Sequence, residues 1–171
     1  MPVVLLRIDD RLIHGQVTTA WMGNTKANHI IIASDEVAND EIRKNIVTIT
    51  APRSVKTEIL GVQAAAERIK GPLASSKYRV MVICTGPHEA LDLIREGVET
   101  DRIVVGNMGS LGDKKGAEPR QSISKSVMVN SQDITNFEAL KELGFPCQIQ
   151  VVPTDKPVDV LKQIQGKLKR R

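Results

Sequence analysis

Six short runs of mostly β-branched, apolar residues recur along the chain, at 3–8, 29–33, 79–85, 102–105, 126–129 and 148–152. They are apolar nearly throughout instead of alternating, which is the pattern of strands covered on both faces. A weaker strand is predicted at 56–60. Between the runs, apolar positions fall at helical spacing. A short helix is predicted at 16–22, Asp35-Glu36 leads into one at 41–49, and others cover 62–70, 87–96, 132–143 and 158–168. The punctuation agrees. Gly71, Gly97 and Gly144 follow periodic stretches as C-terminal caps do, Pro87 sits at a first helical position after Gly86, and Ser131 can cap the helix behind it.

Strands and helices alternating in this way require crossover connections. The predicted fold is α/β: an open, mostly parallel, twisted sheet of about six or seven strands with helices on both faces. Nothing marks a domain boundary or a repeat, so residues 1–171 are expected to form a single domain. The weakly hydrophobic stretch 109–121 reads as an exposed, mobile loop after the fifth strand.

Composition narrows the function. With 171 residues, 41% of them hydrophobic and 26% charged, the chain can build one core and is not disordered. Lys and Arg number 24 against 20 Asp and Glu, but Lys162, Lys167, Lys169, Arg170 and Arg171 fall in a C-terminal tail that holds no acid. The basic character is an end effect, suited to the negative end of a last helix or to a weak contact with an anionic surface or acidic partner. Aromatics are 2% of the chain, which argues against a base-stacking platform and against nucleic acid as a partner. No apolar run approaches the roughly 18 residues of a membrane span, and the opening Met1-Pro2-Val3-Val4-Leu5-Leu6 meets Arg7 and Asp9 too soon for a signal peptide, so a cytoplasmic location is expected. Cys84 and Cys147 lie in separate strand-like runs without metal-binding spacing and are expected to be buried, reduced thiols.

Open parallel sheets place ligands beyond the carboxyl ends of their strands. The first such loop reads Arg7-Ile8-Asp9-Asp10-Arg11-Leu12-Ile13-His14-Gly15-Gln16-Val17. Charges of both signs and a histidine crowd together directly after a buried strand, and the set suits phosphoryl transfer through His14. A neutral imidazole, with an ordinary pKa of about 6.5, is a competent nucleophile near neutrality. Arg7 and Arg11 would disfavour the imidazolium and steady the oxygens of a transferring phosphoryl group. Asp9 or Asp10 could hold an arginine or fix the imidazole tautomer. Gly15 leaves room for close backbone approach, and the helix beginning at Gln16 would aim its first amides at an anion.

The same eleven residues closely resemble the N-terminal signature of the IIB components of the mannose/fructose/sorbose family of the phosphoenolpyruvate-dependent sugar phosphotransferase system. Ser34-Asp35-Glu36-Val37-Ala38-Asn39-Asp40-Glu41, Val105-Gly106-Asn107-Met108, Ser124-Lys125-Ser126-Val127 and Val152-Pro153-Thr154-Asp155 resemble further family segments, in order, over nearly the full chain. The resemblance implies that His14 accepts a phosphoryl group from a phosphohistidine on a IIA component. His14 then passes it to a sugar of the mannose, fructose, sorbose or N-acetylgalactosamine class that enters through the membrane components IIC and IID. Arg11 matches the family's transition-state cation and Asp9 its loop carboxylate. The resemblance implies no metal, no cofactor and no nucleotide, and a cytoplasmic protein peripherally associated with its transporter; it leaves homo-oligomerisation open.

Two segments depart from the family pattern, the loop 109–121, long and rich in Gly and Lys, and the turn Cys84-Thr85-Gly86-Pro87-His88-Glu89. Both follow strands and bear on partner or sugar specificity, with Thr85 and Gly86 expected on the rim of the site. Asp35, ending the second strand, either shapes the site or caps a helix, and Asn107, ending the fifth, is a similar rim candidate. His88 reads as an exposed first-turn residue or a rim residue facing a partner, and His29 as a plain polar strand start. Gly106-x-x-Gly109-x-x-Gly112 reads as flexible loop. Two rivals fare worse. A dinucleotide-binding fold needs a glycine fingerprint after Ile8, where Asp-Asp-Arg-Leu stands instead. A receiver-like signalling or binding domain could use Asp9-Asp10 as its acidic pair, but it needs an aspartate where the third strand ends in Ile59-Leu60-Gly61.

Overall fold

The computed structural model describes residues 1–112 and 114–168; Asp113 and the tail cations Lys169, Arg170 and Arg171 lie outside the described residues. Among the described residues, nine strands and seven helices follow in the order β1 (Val3–Ile8), α1 (Gly15–Thr25), β2 (His29–Ala33), α2 (Asp35–Ala38), α3 (Glu41–Thr50), β3 (Lys56–Leu60), α4 (Val62–Lys70), β4 (Val80–Cys84), α5 (Pro87–Arg95), β5 (Ile103–Val105), β6 (Gln121–Ser122), β7 (Met128–Val129), α6 (Ser131–Glu142), β8 (Cys147–Ile149), β9 (Val158–Asp159) and α7 (Val160–Leu168). Seven strands form one sheet in the order β3-β2-β4-β1-β5-β8-β9. All its neighbours pair in parallel except β9, which closes the edge antiparallel to β8. The predicted α/β class, mostly parallel sheet and helices on both faces are what the chain adopts.

Strand parity sorts the core. Leu6, Ile8, Val80, Val82, Cys84 and Val105 point toward α4, α5, α6 and α7, against Ala66, Ile69, Leu91, Phe137 and Ile164. Leu5, Ile30, Ile32, Met81, Ile83 and Val104 point the other way and meet Trp21 of α1, Val37 of α2 and Val47 of α3. Both faces of every central strand are therefore apolar, which is why the sequence shows continuous runs. Cys84 and Cys147 are free and buried, and burial pushes both thiols up, away from the reactive thiolate.

Several expectations change at short range. Residues 126–129 do not add a strand to the main sheet: Met128–Val129 pairs antiparallel with Gln121–Ser122 in a separate hairpin, and Val127 bridges to Met108. The helix expected over 158–168 starts at Val160, because Val158–Asp159 is taken by the sheet edge and the Asp159 carboxylate caps the first turn through Lys162 N. Asn130, not Ser131, caps α6, in a reciprocal capping box with Asp133. The stretch 109–121 follows β5 at the surface, as expected, and several of its described residues are tied to the rest of the chain. Its ties are Gly109 N to Asp10, Lys114 to Glu36, Glu118 to Ser131 and Arg120 to Asp133.

His29 is more than a polar strand start. It is buried, stands edge-on to Tyr78, and bonds Glu58 at 3.1 Å. Arg68 grips the same carboxylate with two nitrogens, and Lys56 reaches it at 3.3 Å. Chiefly through Arg68, and against the opposing effect of burial, the Glu58 carboxyl is held down to about 2 from an ordinary 4.5. A carboxyl depressed on folding stabilises the fold above its unfolded pKa and loses that contribution as pH falls through its folded one. Thermal melts should thus show stability lost between pH 4.5 and 2, and Glu58→Gln should flatten that limb. An unchanged acid limb in the variant would assign the loss to other carboxylates.

Candidate active site

Three strand ends converge where β1 stops. Asp9 N donates to Cys84 O at the end of β4, Asp10 N to Asn107 O beyond β5, and Gly106 N to Ile8 O. A tight turn follows, closed by Leu12 N on Asp9 O at 3.0 Å. Leu12 then takes a left-handed backbone, φ 59°, a conformation a leucine adopts only when its surroundings impose it. Here the imposition is apolar: Leu12 and Ile13 are both 5% exposed and plug into the core beside Trp21. The loop is thereby nailed down by its middle, and Arg11 and His14 on either side are left at the surface.

Asp9 is the hub. Its carboxylate is fully buried, and Oδ2 takes Arg7 Nη2 at 2.8 Å, His14 Nε2 at 2.9 Å and Asn107 Nδ2 at 3.4 Å. Oδ1 accepts Arg11 N at 3.1 Å. Burial pushes the Asp9 carboxyl up, but the His14 hydrogen bond and the Arg7 charge together outweigh it and hold the group below its ordinary range. An ionised carboxylate only accepts hydrogen bonds, so His14 Nε2 must carry the proton. In the neutral ring the lone pair is then on Nδ1, the nitrogen with no partner in the loop. His14 is 15% exposed, in a position to meet a visitor while its other edge is held.

Arg7 is not exposed to steady a phosphoryl group as expected. It is 2% exposed and lies beneath the loop, on Asp9 with one arm and on Gln150 O with the other at 3.2 Å, its guanidinium 5.5 Å from the Trp21 ring centre. Burial lowers its pKa and Asp9 opposes that. Arg7 is therefore a positioning residue for Asp9. Arg11 is the exposed guanidinium of the loop and, among the described residues, is unpaired. His14 is the N-cap of α1, whose first turn has no acidic residue and no side-chain cap, so the amides near Gly15 and Gln16 remain available to an anion.

The other predicted residues divide. Asn107 joins the hub. Asp10 turns away from it: Oδ2 accepts Gly109 N at 2.7 Å, while Oδ1 is buried without a protein partner among the described residues. Burial raises the Asp10 carboxyl, against the pull of the Gly109 amide. Thr85 bonds Glu89 through its amide and hydroxyl. Together with Asp10, Gly86 and exposed His88 it lines a cleft of about 450 Å³ beside the loop. Asp35 is not brought to the site. Its Oδ1 caps α4 through Val62 N at 2.9 Å and sits over Gly61, which is the helix-capping alternative. A larger hollow, of about 600 Å³, opens between α6 and α7 and contains none of these residues.

Three contributors escaped the sequence reading: Trp21, Gln150 and Gly106. Gly106 is not flexible loop. A Cβ there would collide with the Arg7 guanidinium and come within 2.6 Å of Asp9 Oδ2. A glycine placed immediately after a strand was the available signal, since that is where a close backbone approach is often needed. Among the described residues no group of His, Cys, Asp and Glu could hold a metal ion, and no helix is long and apolar enough to cross a membrane.

Residues 3–171 match the family model described as the sorbose subfamily IIB component of the PTS system. The N-acetylgalactosamine-specific phosphotransferase enzyme IIB component 2 of Escherichia coli is 36% identical over 160 residues, covering 94% of this chain and 97% of that protein. The mannose-specific EIIAB component of the same bacterium is 34% identical over 96% of this chain and 50% of its own length. In structure, the IIBSor domain of the sorbose permease from Klebsiella pneumoniae superposes with a TM-score of 0.87 at 34% identity, covering 98% of both chains.

Proposed function

From the premise that the chain belongs to the sorbose subfamily of phosphotransferase-system IIB components, with sugar phosphotransfer as its field, we propose that His14 is its phosphoryl carrier. The observation that carries this reading is the single hydrogen bond from His14 Nε2 to buried, ionised Asp9. It reserves one ring nitrogen and presents the other.

In the first step the Nδ1 lone pair attacks the phosphorus of a phosphohistidine on the IIA component. The donor's P–N bond breaks, and its electron pair returns to the donor imidazole. With Nε2 still protonated, the phosphorylated His14 ring carries positive charge, which Asp9 offsets, as a carboxylate does on the far nitrogen of a catalytic imidazole. Arg11 and the first amides of α1 meet the equatorial oxygens in place of a metal ion. In the second step a sugar hydroxyl oxygen attacks the phosphorus, the P–Nδ1 bond breaks with its electrons returning to the ring, and the hydroxyl proton leaves to water or a base on the acceptor side. The cationic ring is a good leaving group, so the transfer can run forward without activation by a nucleotide.

The donor is a IIA component; the mannose-specific relative carries A and B in one chain, as its name states. The acceptor is a sugar presented by the membrane components IIC and IID, of the class named for the relatives (N-acetylgalactosamine, sorbose, mannose). Residues 1–171 act as one cytoplasmic domain docked at the transporter, with Thr85, Gly86 and Asp10 on the cleft beside the loop. The test is to incubate the protein with phosphoenolpyruvate, the general phosphocarrier proteins and a IIA component, then map the phosphate by mass spectrometry and phosphorus NMR. One phosphate on His14 Nδ1, stable in alkali and lost in acid, is expected. An alkali-labile acyl phosphate on Asp9 or Asp10 would replace this reading with a receiver-like one.

A further inference from the structure

Trp21 and Arg7 are the two largest buried side chains among the described residues, and the Arg7 guanidinium lies over the indole, 5.5 Å from the ring centre. A buried indole must satisfy its N–H, and the place where Trp21 does so is informative. Its Nε1 donates to Val151 O at 2.8 Å, while Arg7 Nη1 donates to Gln150 O at 3.2 Å. The two acceptors are consecutive carbonyls beyond β8, separated only by the dihedrals of one residue. The turn that carries them is closed from within. The buried Gln150 side chain donates to Pro153 O at 3.1 Å and to Asp155 O at 2.9 Å, and Val152 N donates to Asp155 Oδ2 at 3.1 Å. Arg102 also lies over the ring, at 5.2 Å, with its own Nη2 on Asn24 Oδ1 at 2.8 Å. The ring is thus fixed by its N–H and its face, besides its packing beside Leu12 and Ile13.

We infer that Trp21 is a positioning residue for phosphoryl transfer, holding Arg7 against Asp9 and, through Asp9, the proton on His14 Nε2; the inference rests on the phosphocarrier reading above. A buried guanidinium needs more support than Asp9 alone gives, because Asp9 Oδ2 is shared with His14 and Asn107. An indole face stabilises a cation, and more strongly where water is excluded. Of the three supports of the Arg7 guanidinium, the ring is one, and the Gln150 carbonyl is held in register with it by the neighbouring Val151 bond. A leucine fills core volume, and a phenylalanine also offers a face, but neither brings both the face and the N–H. Without the indole the guanidinium can tilt off Asp9, the carboxylate can turn with it, and the imidazole loses the contact that selects its tautomer. Trp21 is fully buried, so it touches neither donor nor acceptor, and its influence on His14 runs through Arg7 and Asp9.

The test is single-turnover labelling of Trp21→Leu and Trp21→Phe, each alone and combined with Arg7→Met, in the full chain. The donors are a phosphorylated IIA component and phosphoramidate, a small molecule that needs no docking. Urea melts set conditions in which each variant is folded, because a core substitution also costs stability. Trp21→Leu should slow labelling by both donors about 10- to 100-fold, with the KM for phosphorylated IIA unchanged. Trp21→Phe, which keeps a ring and loses the N–H, should fall between Trp21→Leu and the wild type. With Arg7→Met already present, neither substitution should slow labelling further. Imidazole nitrogen NMR spectra should show His14 leaving the Nε2–H tautomer in Trp21→Leu, a change that core packing alone would not produce. Wild-type rates in folded Trp21→Leu overturn the inference, and so does an equal slowing with and without Arg7, which would reduce the ring to packing. If Trp21→Leu does not fold, Trp21→Phe carries the same comparison. Wild-type protein unlabelled at His14 by either donor removes the phosphocarrier reading itself; wild-type labelling at His14 with a Trp21 effect independent of Arg7 removes this inference alone.

Discussion

His14→Ala should take no phosphate at all from a phosphorylated IIA component, where the wild type is expected to take one per chain. The size of the effect follows from the loop. His14 supplies the only imidazole among the residues gathered at the hub, and its Nδ1 is the nitrogen left free by the Asp9 hydrogen bond. The variant should still fold. Leu12 and Ile13, which anchor the loop, are untouched, and Asp9 keeps Arg7, Asn107 and the Arg11 amide. A change in unfolding free energy within about 1 kcal/mol is expected, as for a partly exposed loop residue. Intact-mass measurement after labelling and a urea melt together decide the matter. Stoichiometric phosphate on the variant would place the acceptor on another side chain.

Asp9→Asn should be nearly as damaging to transfer and, unlike His14→Ala, costly to the fold. An amide is neutral and cannot both replace the carboxylate on the Arg11 amide and satisfy Arg7 and His14, since one of its two ends is a donor. The buried Arg7 guanidinium would lose its counter-charge, and breaking such a pair from one side costs about 3–5 kcal/mol. The tautomer of His14 would lose its enforcement, and comparable losses in other enzymes slow the reaction by about 10² to 10⁴. Single-turnover labelling and chemical denaturation separate the two effects. A second variant sharpens the test: Arg7→Met/Asp9→Leu removes both charges, and should recover much of the stability while remaining slow. Recovery of the rate in that background would show that Asp9 acts on the fold and not on the imidazole. The acid limit has the same origin. A depressed Asp9 contributes stability above its unfolded pKa of about 3.9, and that contribution is lost as pH falls through the lower folded value.

The legible parts of this chain were those fixed by local pattern. Continuous β-branched runs at 3–8, 29–33, 79–85, 102–105 and 148–152 mark strands of the main sheet, most of them buried on both faces, and the crowd of charges directly after the first of them sits at a strand end. That reasoning pointed to His14 from the residues alone and left Asp9 or Asp10 and Arg7 or Arg11 open; the family resemblance singled out Asp9 and Arg11. Arg7 was legible as a charge and not as a position. Its partners, Gln150 and Trp21, lie far along the chain, and nothing in the local spacing of 7–17 distinguishes an arginine under the loop from one on top. Asp35 was ambiguous for the converse reason, because a carboxylate at a strand end serves equally to shape a site or to cap a helix, and here it caps α4. The two-residue strands β6, β7 and β9 are too short to show any period, and β9 was absorbed into the helical spacing of α7. The ties of the 109–121 segment are long-range side-chain contacts that a Gly- and Lys-rich composition does not foretell.

The left-handed leucine in the His14 loop has a consequence for traffic. A backbone bent at Leu12 and locked by the buried side chains of Leu12 and Ile13 stores a strain of order 1–3 kcal/mol that persists only while both stay seated, and a phosphoryl group on His14 Nδ1 would touch neither anchor. In the proposed cycle the shuttle therefore does not announce its cargo by moving. The announcement is the cargo itself, up to two units of negative charge appearing on an unchanged relief, and any timetable by which one docking berth is vacated and the next is sought must be read by the other parties from that charge alone.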